Sequence, residues 1–597
     1  MRIVLLSLAL LGYYGAFCMY YPDRKPYFLL SFIAFSTLTG LIFGILEHLI
    51  LGFWFVIIIG ILLLIVLTAR HLFHKSFAVD FRCLFQISIL FCCIAGIWLF
   101  AITRNTAISH WDDCTHWYRI CKMIFAEKRL PSMPDMDFPT YVPGTAIWIN
   151  FITYCIGFSV PNCFFAQGMV NVACCSCLFS LIPKREKQKK SVLFISVLFC
   201  CVDSVALCAF EFSTYSLTVD TLVALVPLSC FCFIITKRSD SLSYVLLALI
   251  LSFAAQIKNS GLIFIFFISI AYCFANQGTE RFSIVKSIGL VVPPVVFDLA
   301  FWVHVRQVFG DVSNTGHAVS VSRILSNFSE KNGQQLLQII KSYFAEVFNF
   351  GSSYSSVRLI WVCLALSILF VIILNVFNKS EVLHYIKKWT IYYFLIVGLY
   401  FLGLLVSYLF AFQTTVLASF NRYMASAAIF VFGVISANIM WVIAHTEFSE
   451  KGQFYSLLAF LVAFSLFISP YLDYRYIWGR DYAKAQYTDQ QWKYCSALFA
   501  EQWNYNEKQV AVFQGSQDFP GESYGKTMSM IQTYLRTTNV EVFNTEEVAA
   551  HQLTDAEIDF IRNSDYYVFL KDHSEIYELL SEYIPNGEFH VGLCTVK

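Results

Sequence analysis

Charge is what this chain has least of. Only 14% of its 597 residues are Asp, Glu, Lys or Arg, against roughly 25% in soluble globular proteins. The deficit excludes a soluble enzyme. Disorder is excluded as well, because it needs low hydrophobicity and high net charge. Net charge is also missing: 41 basic and 40 acidic residues leave +1, so no nucleic-acid partner is expected. Zinc-type spacing is absent, and Gly515, Gly521 and Gly525 lack the spacing of a phosphate loop. No internal repeat is obvious, which weighs against transporters built from inverted halves.

Apolar surface is what the chain does have. It is 58% hydrophobic, with 60 Phe and 33 Tyr. These residues fall in solid runs of about 20, not in the alternating 10-residue strands of a barrel. The fold class is therefore an α-helical polytopic membrane protein. Most of the 20 cysteines lie inside the runs, as at Cys92-Cys93, Cys174-Cys175-Cys177 and Cys200-Cys201, where the thiol acts as a small hydrophobe. Cys114 and Cys121 on one helix stand about 10 Å apart, too far for a bridge. A pairing of Cys495 with Cys594 is left open.

The runs predict about 14 spans, near 2–20, 27–47, 49–68, 83–103, 162–182, 191–210, 216–236, 241–257, 260–276, 283–303, 357–377, 390–411, 422–444 and 453–470. Arg2 to Tyr20 begins like a signal peptide but lacks a small-x-small cleavage site, so it reads as a retained first span. The basic segments Arg70–Arg82, Pro183–Lys190 and Lys237-Arg238 should face the cytoplasm. That holds only if 142–158 does not cross. Its Pro143-Gly144 start, with Trp148, Asn150 and Tyr154, fits a re-entrant or interfacial helix. The reading divides the chain into a multi-span domain, 1–471, with outer loops 104–160 and 304–356, and an outer tail, 472–597. In the tail, runs beginning at Val510, Val540 and Tyr566 read as buried strands. Helical stretches near 523–536, 554–563 and 573–583 complete a small extracytoplasmic α/β domain.

The chemistry-bearing stretch is His110-Trp111-Asp112-Asp113-Cys114-Thr115-His116-Trp117-Tyr118-Arg119. Two carboxylates where an apolar span meets a polar loop sit in reduced dielectric, which raises their pKa and makes one a candidate base. Trp111 and Trp117 suit the headgroup region. The alternative is that Asp112 caps a helix and both acids are solvated. Three more charges sit at outer span ends: Asp220, Lys258 in Gln256–Gly261, and Arg422 beside Tyr423. Charges at such depth usually face a cavity or a partner. The plainer readings are a helix-dipole acid for Asp220, a snorkelling Lys258 and an interfacial anchor for Arg422.

The acidic pair with His116-Trp117, then Leu130-Pro131, then Tyr141-Val142-Pro143-Gly144 ending in Trp148 resembles the GT-C class of membrane glycosyltransferases. That class includes dolichyl-phosphate mannosyl- and glucosyltransferases, the aminoarabinose transferase of lipid A and bacterial cell-envelope enzymes. The resemblance spans roughly residues 83–470 in layout and rests on short motifs. Two departures stand out: four spans precede the loop where most members have one, and the pair is Asp-Asp where Asp-Glu is commoner.

The resemblance implies a polyprenyl-phosphate sugar donor and a glycan, lipid or protein hydroxyl acceptor at the outer face of a bacterial plasma membrane, with membrane lipid around the enzyme. An alcohol is a weak nucleophile, so a carboxylate must take its proton. By position this is Asp112, with Asp113 holding the acceptor or tuning Asp112 by like charge. A leaving phosphate is best met by Arg, so Arg422 is the first choice and Lys258 the second. His116, Trp117, Tyr141, Asp220 and Tyr423 are expected to bind substrate, and His317 is a weaker candidate. Direct attack would invert the anomeric centre. Some relatives bind a divalent metal near this loop. Asp112, Asp113 and His116 form an incomplete ligand set, so no obligatory metal is expected. The competing readings are a polysaccharide polymerase or ligase, a flippase of lipid-linked glycans, and an assembly scaffold.

Overall fold

The computed structural model describes residues 1–74, 86–104, 108, 112–132, 138–182, 193, 196–197, 216–236, 241–276, 283–310, 326–349, 355–376, 380–412, 416–445, 509–516, 518, 527–528, 531–532, 539–584 and 589–595. The expected span 453–470, all of the expected span 191–210 except 193 and 196–197, His110, Trp111, His317, Cys495, the basic loop 183–190 and Lys237-Arg238 lie outside the described residues.

Helices dominate. The first four are α1 (Arg2–Tyr20), α2 (Phe28–Ile45), α3 (Leu49–His74) and α4 (Ile87–Thr103). A π-type turn, Asp113–Trp117, then runs into α5 (Tyr118–Glu127), α6 (Gly144–Ile156) and α7 (Val160–Leu178). Next come α8 (Asp220–Ile235), α9 (Ser241–Ala255), α10 (Gly261–Asn276), α11 (Ser283–Phe309), α12 (Gly333–Val347), α13 (Ser355–Val376), α14 (Ser380–Phe410) and α15 (Phe420–His445). Among the described residues, eight helices are long and apolar enough to cross a membrane, and five shorter apolar helices accompany them.

Packing separates an inner from an outer ring. The helix Phe420–Val442 is almost wholly enclosed by its neighbours, whereas Ser283–Phe309 is mostly open. On α11, Ile284, Ile288, Val292, Val296, Leu299 and Val303 each remain more than half exposed, at the three-to-four-residue spacing of one helix face. In water that stripe would drive association, whereas in a bilayer it is the lipid-facing surface. Small residues let α1 and α3 approach closely: a Cβ on Gly12 would lie 1.9 Å from the Gly60 carbonyl oxygen. Close backbone contact of this kind is what holds apolar helices together where a bilayer gives no hydrophobic drive.

Helix α6, read from the sequence as re-entrant or interfacial, is largely buried, with Thr145–Phe151 inside the protein. Trp148 donates to the Ala166 carbonyl at 2.7 Å and Asn150 to the Cys121 carbonyl at 3.1 Å. Those two bonds seat it between α5 and α7. Cys121 and Cys594 are buried free thiols.

Residues 509–595 contain strands β1 (Val510–Gln514), β2 (Val540–Asn544), β3 (Tyr566–Phe569) and β4 (Gly592–Thr595), ordered β2-β1-β3-β4. The first three pair in parallel, and β4 is antiparallel to β3. Alternation along each strand divides the side chains between two faces. Ala511, Phe513, Phe543, Tyr567 and Phe569 form a core with helices Asp555–Asn563 and Ser574–Tyr583. Val510, Val512, Val540 and Val568 face the other way and join the apolar cluster that contains the long helices.

Candidate functional site

Four helix ends and two turns converge on one face of the helical body. Asp112 immediately precedes the π-type turn, a distortion that is frequent at functional sites. Asp220 is the first residue of α8, where the helix dipole favours a negative charge. Lys258 lies in the turn between α9 and α10, and Arg422 in the first turn of α15.

These four side chains form one ion-pair network. Arg422 donates from Nε and Nη2 to Asp220 Oδ2 at 3.0 and 2.8 Å. Its Nη1 donates to Asp112 Oδ2, 310 residues away in sequence. Lys258 Nζ donates to Asp220 Oδ1 at 2.6 Å. Both carboxylate oxygens of Asp220 are therefore engaged, and Ser426 Oγ holds its carbonyl at 3.0 Å. Two acids and two bases balance, which makes burial of the set tolerable. Access is uneven: the side chains of Asp112 and Arg422 are 26% and 21% exposed, that of Asp220 only 2%. Asp112 and Arg422 are the members that a ligand can meet, and Asp220 is the fixed point behind them.

Asp113 sits differently. It is fully buried, and its Oδ1 accepts from the Leu217 N–H at 2.9 Å and from Ser216 Oγ at 3.4 Å. Burial pushes its pKa well above the usual carboxylate range, and the nearby Asp112 charge adds to the effect. Asp113 thus ties the Asp112 turn to the segment leading into α8.

Beside the network lies an aromatic wall. His116 packs edge-on against Tyr141 at 4.6 Å and against Trp117 at 4.7 Å, and Tyr141 stacks on Phe138 at 5.1 Å. His116 and Trp117 are buried, while Tyr141 is partly exposed. Lys258 Nζ lies 5.8 Å from the ring centroid of Tyr423, a cation–π distance. Asp112, Asp220, Lys258, Arg422 and Tyr423 are therefore gathered directly, with Tyr141 on the wall beside them.

Three participants carried only a weak sequence signal. Ser216 and Leu217 act through a hydroxyl and a backbone N–H, which no motif marks. Gln256, in the turn that carries Lys258 and accepting from the Gly144 N–H at 2.8 Å, showed only as a polar residue at the end of an apolar run. No group of three or more His, Cys, Asp and Glu side chains converges among the described residues. The space between Asp112 and Asp220, where a dication would bridge two acids, is spanned by the Arg422 guanidinium.

A separate cleft of about 620 Å³ lies at the far end of α6, lined by Arg2, Leu49, Phe53, Phe125, Lys128 and Tyr154 among others. It is roughly a helix length, about 20 Å, from the Gly144 end, which bonds to the Gln256 carbonyl two residues before Lys258, and it carries none of the network's residues. In comparisons with known proteins, the chain matches no family model and no curated protein sequence.

Proposed function

We propose that this chain is an inverting glycosyltransferase that moves a sugar from a polyprenyl-phosphate donor to a hydroxyl at the outer membrane face. The observation that supports it is the Asp112–Arg422–Asp220–Lys258 network, assembled from four separate parts of the chain on one face of a membrane-type helical body. A donor phosphate competes with Asp112 for the Arg422 guanidinium, which suits phosphate geometry. As Arg422 turns to the phosphate, Asp112 loses its cationic partner and becomes a better base for the acceptor proton. Asp220 holds Arg422 and Lys258 in position throughout. The acceptor oxygen attacks the anomeric carbon opposite the phosphate. The C–O bond to phosphate breaks as the new one forms, and polyprenyl phosphate leaves with the electron pair.

The same reading carries about 14 spans, a multi-pass plasma-membrane location of bacterial cell-envelope type, and an extracytoplasmic α/β tail over 472–597. The acceptor is a glycan, lipid or protein of the envelope. A flippase of lipid-linked glycans is the second reading, favoured by the depth of the Asp220 pair.

Envelope sugar analysis of wild type, deletion and Asp112→Asn strains at matched protein level separates the two. One sugar branch missing from both mutants supports the transferase. A branch missing only from the deletion refutes it.

A further inference from the structure

The turn that carries Lys258 also carries an unsatisfied amide. Gln256 is completely buried, yet neither Nε2 nor Oε1 has a hydrogen-bond partner. Thr140 Oγ1 and Asn259 Oδ1 are orphaned in the same way. These residues occupy two turns laced together. The Gly144 N–H donates to the Gln256 carbonyl at 2.8 Å, and Asn259 Nδ2 donates to the Thr140 carbonyl at 3.3 Å. Buried polar atoms are nearly always paired, so a concentration of orphans at a ligand site marks where a ligand or water completes the set.

The chemistry of the missing partner can be worked out from donors and acceptors. Gln256 offers two N–H donors and an accepting oxygen, Thr140 a hydroxyl that does both, and Asn259 an accepting oxygen. A phosphate or carboxylate only accepts, and would leave Gln256 Oε1 and Asn259 Oδ1 bare. An ammonium only donates, and would leave Gln256 Nε2 bare. Hydroxyl groups satisfy every member.

We propose that the turns 140–144 and 256–260 form a subsite for the neutral hydroxyl face of the transferred sugar, where an ammonium or carboxylate substituent in the same place leaves members of the set unmet. The inference rests on reading the charge network as the donor-phosphate site.

The test uses the full chain in lipid nanodiscs, with four kinds of probe. These are bare polyprenyl phosphate and the same lipid carrying a neutral hexose (glucose, mannose or galactose), a 4-amino-4-deoxy sugar or a hexuronate. Wild type should bind at least one hexosyl lipid about tenfold more tightly than the bare lipid, the worth of about one hydrogen bond. Gln256→Met should erase that margin while raising the melting temperature, because it removes two orphaned polar atoms at nearly constant volume. Thr140→Val should shrink the margin in the same direction. A margin that survives Gln256→Met, or a preference for the amino sugar or hexuronate, overturns the subsite and leaves the donor reading standing. Failure to bind bare polyprenyl phosphate at all overturns the donor reading and this inference with it.

Discussion

Arg422 places two guanidinium nitrogens, Nε and Nη2, on a single oxygen of Asp220, at 3.0 and 2.8 Å. With Lys258 on the other oxygen at 2.6 Å, one carboxylate holds two cations in place, and the third guanidinium nitrogen is left to reach Asp112. The arrangement makes Asp220 the structural centre of the site and Asp112 its replaceable edge.

Asp220→Asn tests that hierarchy. Removing one partner of a buried pair leaves uncompensated charge, worth about 3–5 kcal/mol. The variant should melt well below wild type, and adding Lys258→Met should recover part of the loss. A melting temperature within experimental scatter of wild type would contradict a central role for Asp220.

Asp112→Asn should behave in the opposite way. Its side chain is the more exposed one, so folding should survive, with a melting temperature close to wild type. Turnover should fall by about 100-fold or more, the usual scale for losing a general base. Unimpaired turnover at matched protein level would remove Asp112 from the chemistry.

Asp113→Asn should reveal a pH-dependent stability. Burial raises the folded-state pKa of Asp113, with the Asp112 charge acting in the same direction. The stability contributed by its protonated form is present in full below the unfolded carboxyl pKa. As pH rises toward the higher folded value, the unfolded chain ionises first and that stability is lost. Asparagine keeps an acceptor for the Leu217 N–H and has no proton to lose. Melting curves of variant and wild type should diverge from acid toward neutral pH, in the variant's favour. A constant gap across that range would show that Asp113 is not protonated by its surroundings.

Gly144→Ala should be poorly tolerated. A Cβ there would lie 2.3 Å from the Gln256 carbonyl oxygen and 2.7 Å from its Cβ. Backbone cannot swing aside as a flexible side chain can, so the two turns must separate, at about 1–3 kcal/mol. Lowered expression and a lower melting temperature are the expected readouts. A wild-type melting temperature would mean the turns are not in close contact.

Much of this protein could be read from local pattern. Solid apolar runs and scarce charge identify membrane-type helices because each run must bury or expose its own side chains, wherever it sits in the fold. Short apolar runs at Val510–Gln514 and Val540–Asn544 read as buried strands, whose pleat then sorts side chains between two sheet faces by geometry alone. A charge at the end of an apolar run, as at Asp220, Lys258 or Arg422, advertises a partner because isolated burial is costly.

What local pattern could not say is which partner. Arg422 and Asp112 meet across 310 residues, and only the packing of α8, α9, α10 and α15 brings them together. The same packing divides two adjacent aspartates, leaving Asp112 at the opening and sealing Asp113 against Leu217. Neighbours in sequence share composition and spacing, but dielectric and hydrogen-bond partners are set by whatever the tertiary structure folds against each side chain. The sequence by itself determined the long apolar helices and the positions of the site's charges; the tertiary structure decided their pairing, their burial and the unmet hydrogen bonds of Gln256.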